Sequence, residues 1–334
     1  MQQYIIRRLI LNFFVLLLVA TMIFAALRID SGTVINRRAG ACQQGTQGAG
    51  GQEAAEQCRK IARAELRLDK PIYQQYWDFM SDLAQLDLGK SFVGNQDPIV
   101  DEIKERAGPS IELGLLQIMF ALVIALPIGI VSAIRQDTWI DYILRFFSIL
   151  LLGIPVFVLA VLVIILTSRY GEGTFLPEWL GPQGTYVSLT DDPFQNLKIM
   201  FAPALLGGLG TAAVIMRFLR SQMLEVLRQD YVRTAWAKGL KERSIVVRHA
   251  LKNALIPVLT VVGILLGSIV SGNVILEFIY RIPGIGQYAV FSAVQNPNFP
   301  AVQGVVIVVA VTLVFVNLLI DIAYGWLDPR IRYS

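Results

Sequence analysis

Side chains that commonly carry catalysis are scarce in this sequence of 334 residues. Its single histidine is His249, and its two cysteines are Cys42 and Cys58. A Ser-His-Asp arrangement or a histidine-based zinc site is therefore unsupported. The glycines between positions 45 and 51 lack the lysine and hydroxyl residue of a G-x-x-x-x-G-K-[ST] phosphate loop. We expect no catalytic residue, no metal site and no cofactor in this chain, so that any ATP and Mg²⁺ must be held by partner chains.

The elements that position the remaining residues are membrane helices. Hydrophobic residues make up 55% of the chain and charged residues 16%, and the mean hydropathy is +0.58. These values exclude an ordinary water-soluble enzyme. Six uncharged runs are each about the ~20 residues that cross the hydrocarbon core, namely Leu9–Leu27, Leu113–Ile134, Phe146–Ser168, Ile199–Met216, Asn253–Leu276 and Ala301–Ile320.

Backbone groups in lipid have no outside hydrogen-bond partner, so such runs must be helices, whereas barrel strands would show short alternating segments. We predict an all-α membrane protein with six transmembrane helices. The first run follows Arg7 and Arg8, as a signal peptide would. It exceeds the ~7 to 15 apolar residues of a signal core, and we interpret it as an uncleaved helix rather than a cleaved signal.

Lysine and arginine in the connections predict the orientation. Residues 169–198 hold two basic and four acidic residues. Residues 217–252 hold three acidic residues and nine basic ones, namely Arg217, Arg220, Arg228, Arg233, Lys238, Lys241, Arg243, Arg248 and Lys252. Both termini and this basic segment are therefore predicted to face the cytoplasm. The net charge of +4 is largely a topology signal, and we expect no nucleic-acid partner.

The polar segment between the first two spans is too long for a simple connection. Residues 52–67 are rich in helix-forming residues, and residues 71–88 carry apolar side chains at helical spacing. We expect two or three short helices on the outer membrane face. The chain thus divides into an N-terminal transmembrane helix (1–28), an extracytoplasmic segment with a helical insertion (29–110) and a five-helix core (111–334).

Both cysteines fall in this outer segment, on either side of the glycine-rich stretch 40–51. In an oxidising compartment Cys42 and Cys58 can pair, and closing a ~15-residue loop would stabilise the fold by about 3 kcal/mol in the chain-entropy model. The alternative is two free thiols.

One cytoplasmic segment, 230–257, reads D-Y-V-R-T-A-W-A-K-G-L and later H-A-L-K-N-A. It resembles the coupling loop of ABC importer permeases, the E-A-A-x-x-x-G element. Thr234 and Ala235 stand where that family has two alanines, Arg233 stands in place of its glutamate, and Gly239 matches its glycine. The forms D-Y-x-R-T-A-x-A-K-G-L and H-A-L-x-N-A are those of the dipeptide and oligopeptide branch.

Other segments resemble the same branch, and the resemblance covers nearly the whole chain and indicates the B-type permease subunit. They are residues 4–9, 68–71, 75–76, 87–89, 283–286, 300–304, 317–321, 324–325 and 329–332. Two places depart from it. Residues 27–32 replace the usual L-R-x-x-P-G-D-P, and residues 36–60 look like an insertion.

The resemblance implies that a short helix in a cytoplasmic coupling loop, 228–252, seats in a groove on an ATPase and receives its ATP-driven closure. Its residues here are Asp230, Tyr231, Arg233, Thr234, Ala235, Trp236, Lys238, Gly239 and Leu240. Tyr231 and Trp236 supply contact area, Ala235 keeps the helix slender, and Gly239 permits a turn. The alternative is a basic loop that only fixes topology.

Small residues recur every four positions in two spans, for example Ala204, Gly208 and Ala212, and let helices approach closely. Polar side chains at Ser268, Ser271 and Asn273 could line a path for a polar peptide, or could serve packing alone. A separate broken segment, 281–300, is too rich in glycine and proline to span.

The resemblance implies a permease subunit of an ABC importer for peptides or similar solutes in a bacterial cytoplasmic (inner) membrane. It forms half of the path, with a second homologous permease, two ATP-binding subunits, an extracytoplasmic solute-binding protein and membrane lipid as partners. Nickel, glutathione or oligosaccharide systems share this architecture. A membrane-embedded hydrolase would need a nucleophile and base in the spans, and a secondary transporter would need inverted repeats and midplane charges.

Overall fold

The computed structural model describes residues 2–29, 32, 35–36, 39, 51–65, 67–91, 97–170, 180–269, 273–295 and 298–327. Within these ranges the regular structure is helical, and a single antiparallel bridge joins Lys90 to Pro98. Five helices are long and apolar enough to cross a membrane, or six if one bent pair counts as a span. The all-α prediction is confirmed for the part of the chain that is described.

Four helices are long, namely α1 (Gln2–Ile29), α4 (Ile99–Ile134), α7 (Pro193–Leu227) and α12 (Phe299–Leu327). The shorter helices are α2 (Gly51–Glu65), α3 (Ile72–Ala84), α5 (Trp139–Gly153), α6 (Val156–Tyr170), α8 (Asp230–Ala237), α9 (Lys252–Ile269), α10 (Val274–Tyr280) and α11 (Ile285–Val290). Helices α2 and α3 confirm that the polar segment after α1 folds locally.

The chain divides into two compact units, residues 1–108 with 287–322 and residues 109–286 with 323–334. In the first unit, α3 packs on the C-terminal half of α1. Phe24 lies between Tyr76 and Phe79, with ring centroids 5.3 and 5.6 Å apart. The Tyr76 hydroxyl also lies 2.9 Å from the Thr21 hydroxyl. The apolar stripe on α3 therefore packs against α1, as expected for apolar side chains that share one face of a helix.

Helix α7 is central to the second unit. Of the 18 most apolar consecutive residues of α7, 61% are buried, whereas the corresponding share for α1 is 11%. Small residues permit this packing: Ala204 and Ala212 are buried, and a β-carbon at Gly208 would lie 2.8 Å from the Gln117 carbonyl oxygen. The predicted small-residue stripe of this span thus brings α4 and α7 into close contact.

The third predicted run, Phe146–Ser168, is not one continuous helix. Helices α5 and α6 meet at Ile154 and Pro155 with a bend of 96°. Proline lacks an N–H donor and pushes the preceding residue out of the helical region, and Ile154 accordingly has ψ of 118°. The apolar run predicted one continuous spanning helix and did not reveal the break.

The fifth run also differs from the expected single helix. It begins earlier, because a helical turn (Glu242–Ser244) and a π-helical segment (Ile245–Leu251) lead directly into α9. Helix α9 ends at Ile269, and α10 starts anew at Val274. Residues 270–272 lie outside the described residues.

Candidate coupling site and translocation path

Helix α8 is a short, well-delimited element. It starts after Gln229, whose backbone is extended, and ends at Ala237. Gly239 follows with φ of +74°, a conformation that side chains with a β-carbon rarely adopt. A β-carbon there would meet no atom within 4 Å. Backbone conformation, and not space, therefore explains this glycine.

One face of α8 is packed against its own chain. Val232 and Ala235 are buried together with Ile245, and Val226 and Leu227 at the end of α7 complete the cluster. Five apolar side chains thus fix the direction in which the helix projects. Only 6% of Ala235 is exposed, so this small side chain supports α8 from beneath.

The rest of the α8 surface is open, including both flanks of the buried face. Two large aromatic side chains are exposed there, Tyr231 to 44% and Trp236 to 49%. The other exposed residues that the sequence predicts for coupling are Asp230, Arg233, Thr234, Lys238, Gly239 and Leu240. The structure therefore brings eight of the nine predicted residues onto one accessible protrusion, with an aromatic pair that suits an interface anchor.

Asn253 holds Tyr231 in place, a contact that the sequence analysis missed. Its Nδ2 donates to the Tyr231 hydroxyl at 2.8 Å and to the His249 carbonyl oxygen at 3.0 Å. The two sequence motifs of the coupling segment are thus joined by a side-chain hydrogen bond. The sequence signal for this contact was that the branch's form of the first motif contains the tyrosine and its form of the second motif contains the asparagine.

A buried ion pair lies two helical turns before the end of α7. The Arg220 guanidinium donates from Nε and Nη2 to the two carboxylate oxygens of Asp141 at 2.8 and 2.7 Å. Ser132 donates to the same carboxylate at 2.5 Å, and the Asp137 N–H donates at 3.1 Å. Asp141 is fully buried. We call these residues the Asp141 cluster.

From the sequence, Arg220 is one of the nine basic residues that predict orientation, with no further role. The structure shows that it joins the C-terminal part of α7, which is followed by α8, to the first turn of α5. Bidentate pairing fixes the orientation of the two groups as well as their distance. The base of the α8 protrusion is therefore held both by apolar packing and by a charged pair.

Asn273 is the one predicted path residue whose side chain is described. Its Nδ2 donates to Oε1 of Gln117 in α4 at 2.8 Å. Gln117 is buried beside Gly207 and Gly208 of α7, and its own Nε2 has no hydrogen-bond partner. For Ser268 the structure describes the backbone alone, and Ser271 lies outside the described residues.

A second buried carboxylate belongs to α10. Glu277 is fully buried, and its Oε1 accepts a hydrogen bond from Ser110 at 2.8 Å. The same Ser110 oxygen accepts the Ile285 N–H at 2.8 Å. A β-carbon at Gly284 would overlap the Glu277 carboxylate, and one at Gly286 would lie 2.7 Å from backbone of α10. We call these residues the Glu277 cluster.

Two tyrosines nearby are neutral hydrogen-bond donors. Burial raises the pKa of Tyr280 to about 12, and its hydroxyl donates to the Leu180 carbonyl oxygen at 3.2 Å. Burial, and then the hydrogen bond to Glu112 at 2.9 Å, raise the pKa of Tyr186 well above its usual range. Neither phenol ionises near neutral pH, so both act as fixed structural contacts.

The described residues include one of the two cysteines. Cys58 is buried in α2 and is disulfide-bonded. Cys42, the other cysteine of the sequence, lies outside the described residues. Among the described residues, no three His, Cys, Asp or Glu side chains form a group that could hold a metal ion.

Comparisons with known proteins agree with this architecture. Residues 125–333 match the family described as binding-protein-dependent transport system inner membrane component. A dipeptide transport system permease protein of Alkalihalophilus pseudofirmus is 37% identical over 296 residues, 85% of this chain and 88% of that protein. Its counterpart in Bacillus subtilis is 34% identical over 332 residues, 99% of this chain and 98% of that protein.

A third relative, a glutathione transport system permease protein of Escherichia coli, is 30% identical over 335 residues that span the full length of both chains. The family match covers more than half of the sequence, and these relatives match it nearly end to end. The chain therefore belongs to the family of inner membrane components of binding-protein-dependent transport systems.

Proposed function

We propose that this chain is one of two permease subunits of an ATP-driven importer for short peptides or chemically similar small solutes. The observation that carries the proposal is α8, a rigid helix with one buried face and two exposed aromatic side chains. Such a helix suits a groove on a separate ATPase. The chain itself transports and catalyses no bond chemistry, and ATP and Mg²⁺ belong to the partner subunits.

The relatives support the solute class. The names of the relatives from Alkalihalophilus pseudofirmus and Bacillus subtilis specify dipeptide transport, and that of the Escherichia coli relative specifies glutathione transport. We assign short peptides to this chain on that basis, with nickel and oligosaccharides as weaker alternatives. Binding measurements on the cognate solute-binding protein would decide among them, because that protein meets the solute first.

The proposed topology places both termini and α8 in the cytoplasm, with α2 and α3 outside. The excess of basic residues in 217–252 supports this orientation. It also puts Cys58 in an oxidising compartment, which suits its disulfide. The pairing with Cys42 would be tested by mass spectrometry of the non-reduced protein, and two free thiols would contradict it.

The proposed complex contains a second, homologous permease, two ATP-binding subunits and an extracytoplasmic solute-binding protein. A bundle of six spans with few polar residues cannot readily enclose a channel for a peptide, whereas two bundles facing each other can. Among the described residues, we assign the lining of the path to the hydrogen-bonded polar pair of Asn273 and Gln117. Cysteine at position 273 should change its labelling rate when ATP is added to the full complex, and a constant rate would remove it from the path.

The coupling role is tested by Trp236→Ala in the reconstituted importer. We expect solute-stimulated ATP hydrolysis and transport to fall at least tenfold, because interface anchors of this kind contribute about 2 kcal/mol or more. The thermal stability of the permease should not change, since the Trp236 side chain projects from the chain.

Trp139→Ala is the matched control. Like Trp236, Trp139 is an exposed tryptophan on the proposed cytoplasmic side, but it begins α5 and is not part of α8. It should leave transport and hydrolysis unchanged. Equal effects of the two substitutions, or normal coupling in Trp236→Ala, would contradict the assignment of α8. ATP hydrolysis by the purified chain alone would overturn the proposed function itself.

A further inference from the structure

An apolar groove of about 450 Å³ runs along α1 in the first unit. Its walls come from α1 between Phe13 and Ala20, from α3 around Met80, and from α12 between Ile307 and Thr312. Among the residues that line it, Thr312 alone has a polar side chain, and that hydroxyl donates to the Val308 carbonyl oxygen of its own helix at 2.7 Å. The groove therefore suits a hydrocarbon chain.

A polar pocket of about 200 Å³ continues the groove, because Leu83, Leu88 and Ile307 line both cavities. The charged side chains of this pocket are Arg28, Arg67, Asp82 and Asp87. Their formal charges cancel. The combined cavity is thus apolar at one end and carries both signs of charge at the other, which is the pattern of a zwitterionic amphiphile.

Arg28 is oriented by its neighbours and keeps free donors. Its Nε donates to Oε1 of Gln75 at 2.7 Å, and Nε2 of Gln75 donates to the Lys70 carbonyl oxygen at 2.7 Å. The guanidinium carbon lies 4.6 Å from the ring centroid of Phe24. No group in the described ranges bonds the two terminal amino groups of Arg28. A fixed guanidinium with two free amino groups matches the oxygens of a phosphate.

The other charges leave one carboxylate for a cation. Nη1 of Arg67 donates to Oδ2 of Asp82 at 2.9 Å, so these two residues largely neutralise each other. Asp87 accepts the Gly89 N–H on Oδ1 at 2.8 Å. No cationic side chain of the described residues pairs with Asp87. Arg28 and Asp87 therefore remain as one positive and one negative group in the same pocket.

The groove below Arg28 lies at the depth of the hydrocarbon core of a membrane. At 1.5 Å per residue, Ala20 lies about 12 Å and Phe13 about 22 Å along α1 from Arg28. Both distances are shorter than the ~30 Å thickness of the hydrocarbon core. Helix α12 shows the same order, since Gln303 lines the polar pocket and Val311 lines the groove. Polar and apolar ends thus follow the membrane normal on two helices.

We propose that the two cavities form one binding site for a phospholipid with an ethanolamine head group. Arg28 binds the phosphate, Asp87 binds the primary ammonium, and one acyl chain lies in the groove. A zwitterionic peptide carries the same two charges, but it has no chain to fill an apolar groove of this length. The site is separate from α8 and does not depend on the proposed transport function.

The test is native mass spectrometry of the intact importer released from micelles that contain equal amounts of dioleoyl phosphatidylethanolamine, phosphatidylcholine and phosphatidylglycerol. We expect phosphatidylethanolamine to be retained preferentially. Arg28→Gln should lower its retention about tenfold, as expected for loss of a charge-assisted contact. Ala310→Phe, which fills the groove and leaves the polar pocket intact, should lower retention of all three lipids at the site.

Two further variants make the assignment specific. Arg59→Gln removes the same charge from an exposed position of α2 and should leave retention unchanged. Asp87→Asn removes the negative group and should shift the preference from phosphatidylethanolamine towards phosphatidylglycerol. Equal retention of the three lipids, no effect of Arg28→Gln, or displacement of the lipid by added dipeptide would overturn the proposal.

Discussion

The Asp141 cluster and the Glu277 cluster each bury a carboxylate completely, but they accommodate it in different ways. Asp141 is paired with the Arg220 guanidinium in bidentate geometry. Glu277 accepts a hydrogen bond from Ser110, and glycines at positions 284 and 286 leave the space that its carboxylate occupies. The described contacts of Asp141 are dominated by a bidentate charged pair, whereas those of Glu277 include a hydroxyl donor and the space that two glycines leave.

The difference predicts how each cluster fails. A charged pair is sensitive to loss of either charge, because the remaining ion is buried without compensation. A carboxylate placed among glycines is sensitive to added volume, because a close-packed interior has no free space for even one added methyl group. The ion pair lies at the base of α8, whereas the Glu277 cluster joins α10 to the first turn of α11. Each cluster therefore supports a different part of the chain.

The largest effect is expected for Arg220→Met. This change removes the bidentate partner of the buried Asp141 carboxylate and leaves it only Arg145 as a counter-ion, whose Nη2 lies 3.5 Å from Oδ2. Loss of a buried counter-ion costs about 3 to 5 kcal/mol of unfolding free energy, and we expect the lower end of that range. Thermal or denaturant unfolding of the purified protein in lipid nanodiscs would measure it. Arg217→Met is the matched control, since Arg217 is exposed on the same helix and its replacement should cost less than about 0.5 kcal/mol.

A double substitution sharpens this prediction. Asp141→Leu combined with Arg220→Met replaces both ions by apolar side chains, and buried pairs exchanged in this way are often nearly neutral in stability. The double variant should therefore be more stable than Arg220→Met alone. Additive losses from the two substitutions would show that the pair is not coupled and that the comparison with Glu277 fails.

Gly284→Ala is expected to have the next largest effect. The added methyl group would overlap the Glu277 carboxylate and approach the Ser110 hydroxyl, and overpacking of this kind costs about 1 to 3 kcal/mol. Gly210→Ala provides the control, because a β-carbon at that position of α7 meets nothing within 4 Å. Thermal unfolding should show destabilisation for Gly284→Ala only. Equal stability of the two variants would mean that the Glu277 cluster readily yields space.

Substitutions of the two serines should differ in effect: that of Ser110 is expected to be comparable to Gly284→Ala, and that of Ser132 is the smallest. Ser110→Ala removes a donor to Glu277 and the acceptor of the Ile285 N–H, leaving buried groups unsatisfied at a cost of about 1 to 3 kcal/mol. Ser132→Ala removes one of several donors to Asp141, and we expect a loss of about 0.5 to 1.5 kcal/mol. A greater loss for Ser132→Ala in the same unfolding assay would reverse the comparison.

Much of the fold follows from the sequence because lipid imposes a simple rule. Long apolar runs must be helical, and α1, α4, α7 and α12 lie where such runs predicted them. The rule says nothing of breaks inside a run. The bend at Pro155 and the end of α9 at Ile269 depend on local backbone chemistry and packing, so the third and fifth runs were only partly correct.

The coupling segment shows a similar limit. Its motif indicated a short helix closed by Gly239, and the structure contains that helix. The motif could not show which face is buried, because Ala235 and Trp236 lie only about 100° apart around α8, yet the first is buried and the second exposed. Burial of Ala235 against Ile245 comes from a segment ten residues further along the chain.

The sequence by itself determined the helical membrane class, the local helices after α1, the shape of the coupling segment and the family. These properties depend on composition, periodicity and motifs, which are local. The tertiary structure alone decided that Asp141 meets Arg220, that Ser110 meets Glu277, and that Asn253 holds Tyr231. In each pair the residues are far apart in sequence or on different helices, and a buried polar group accepts whichever partner the packing brings within hydrogen-bond distance.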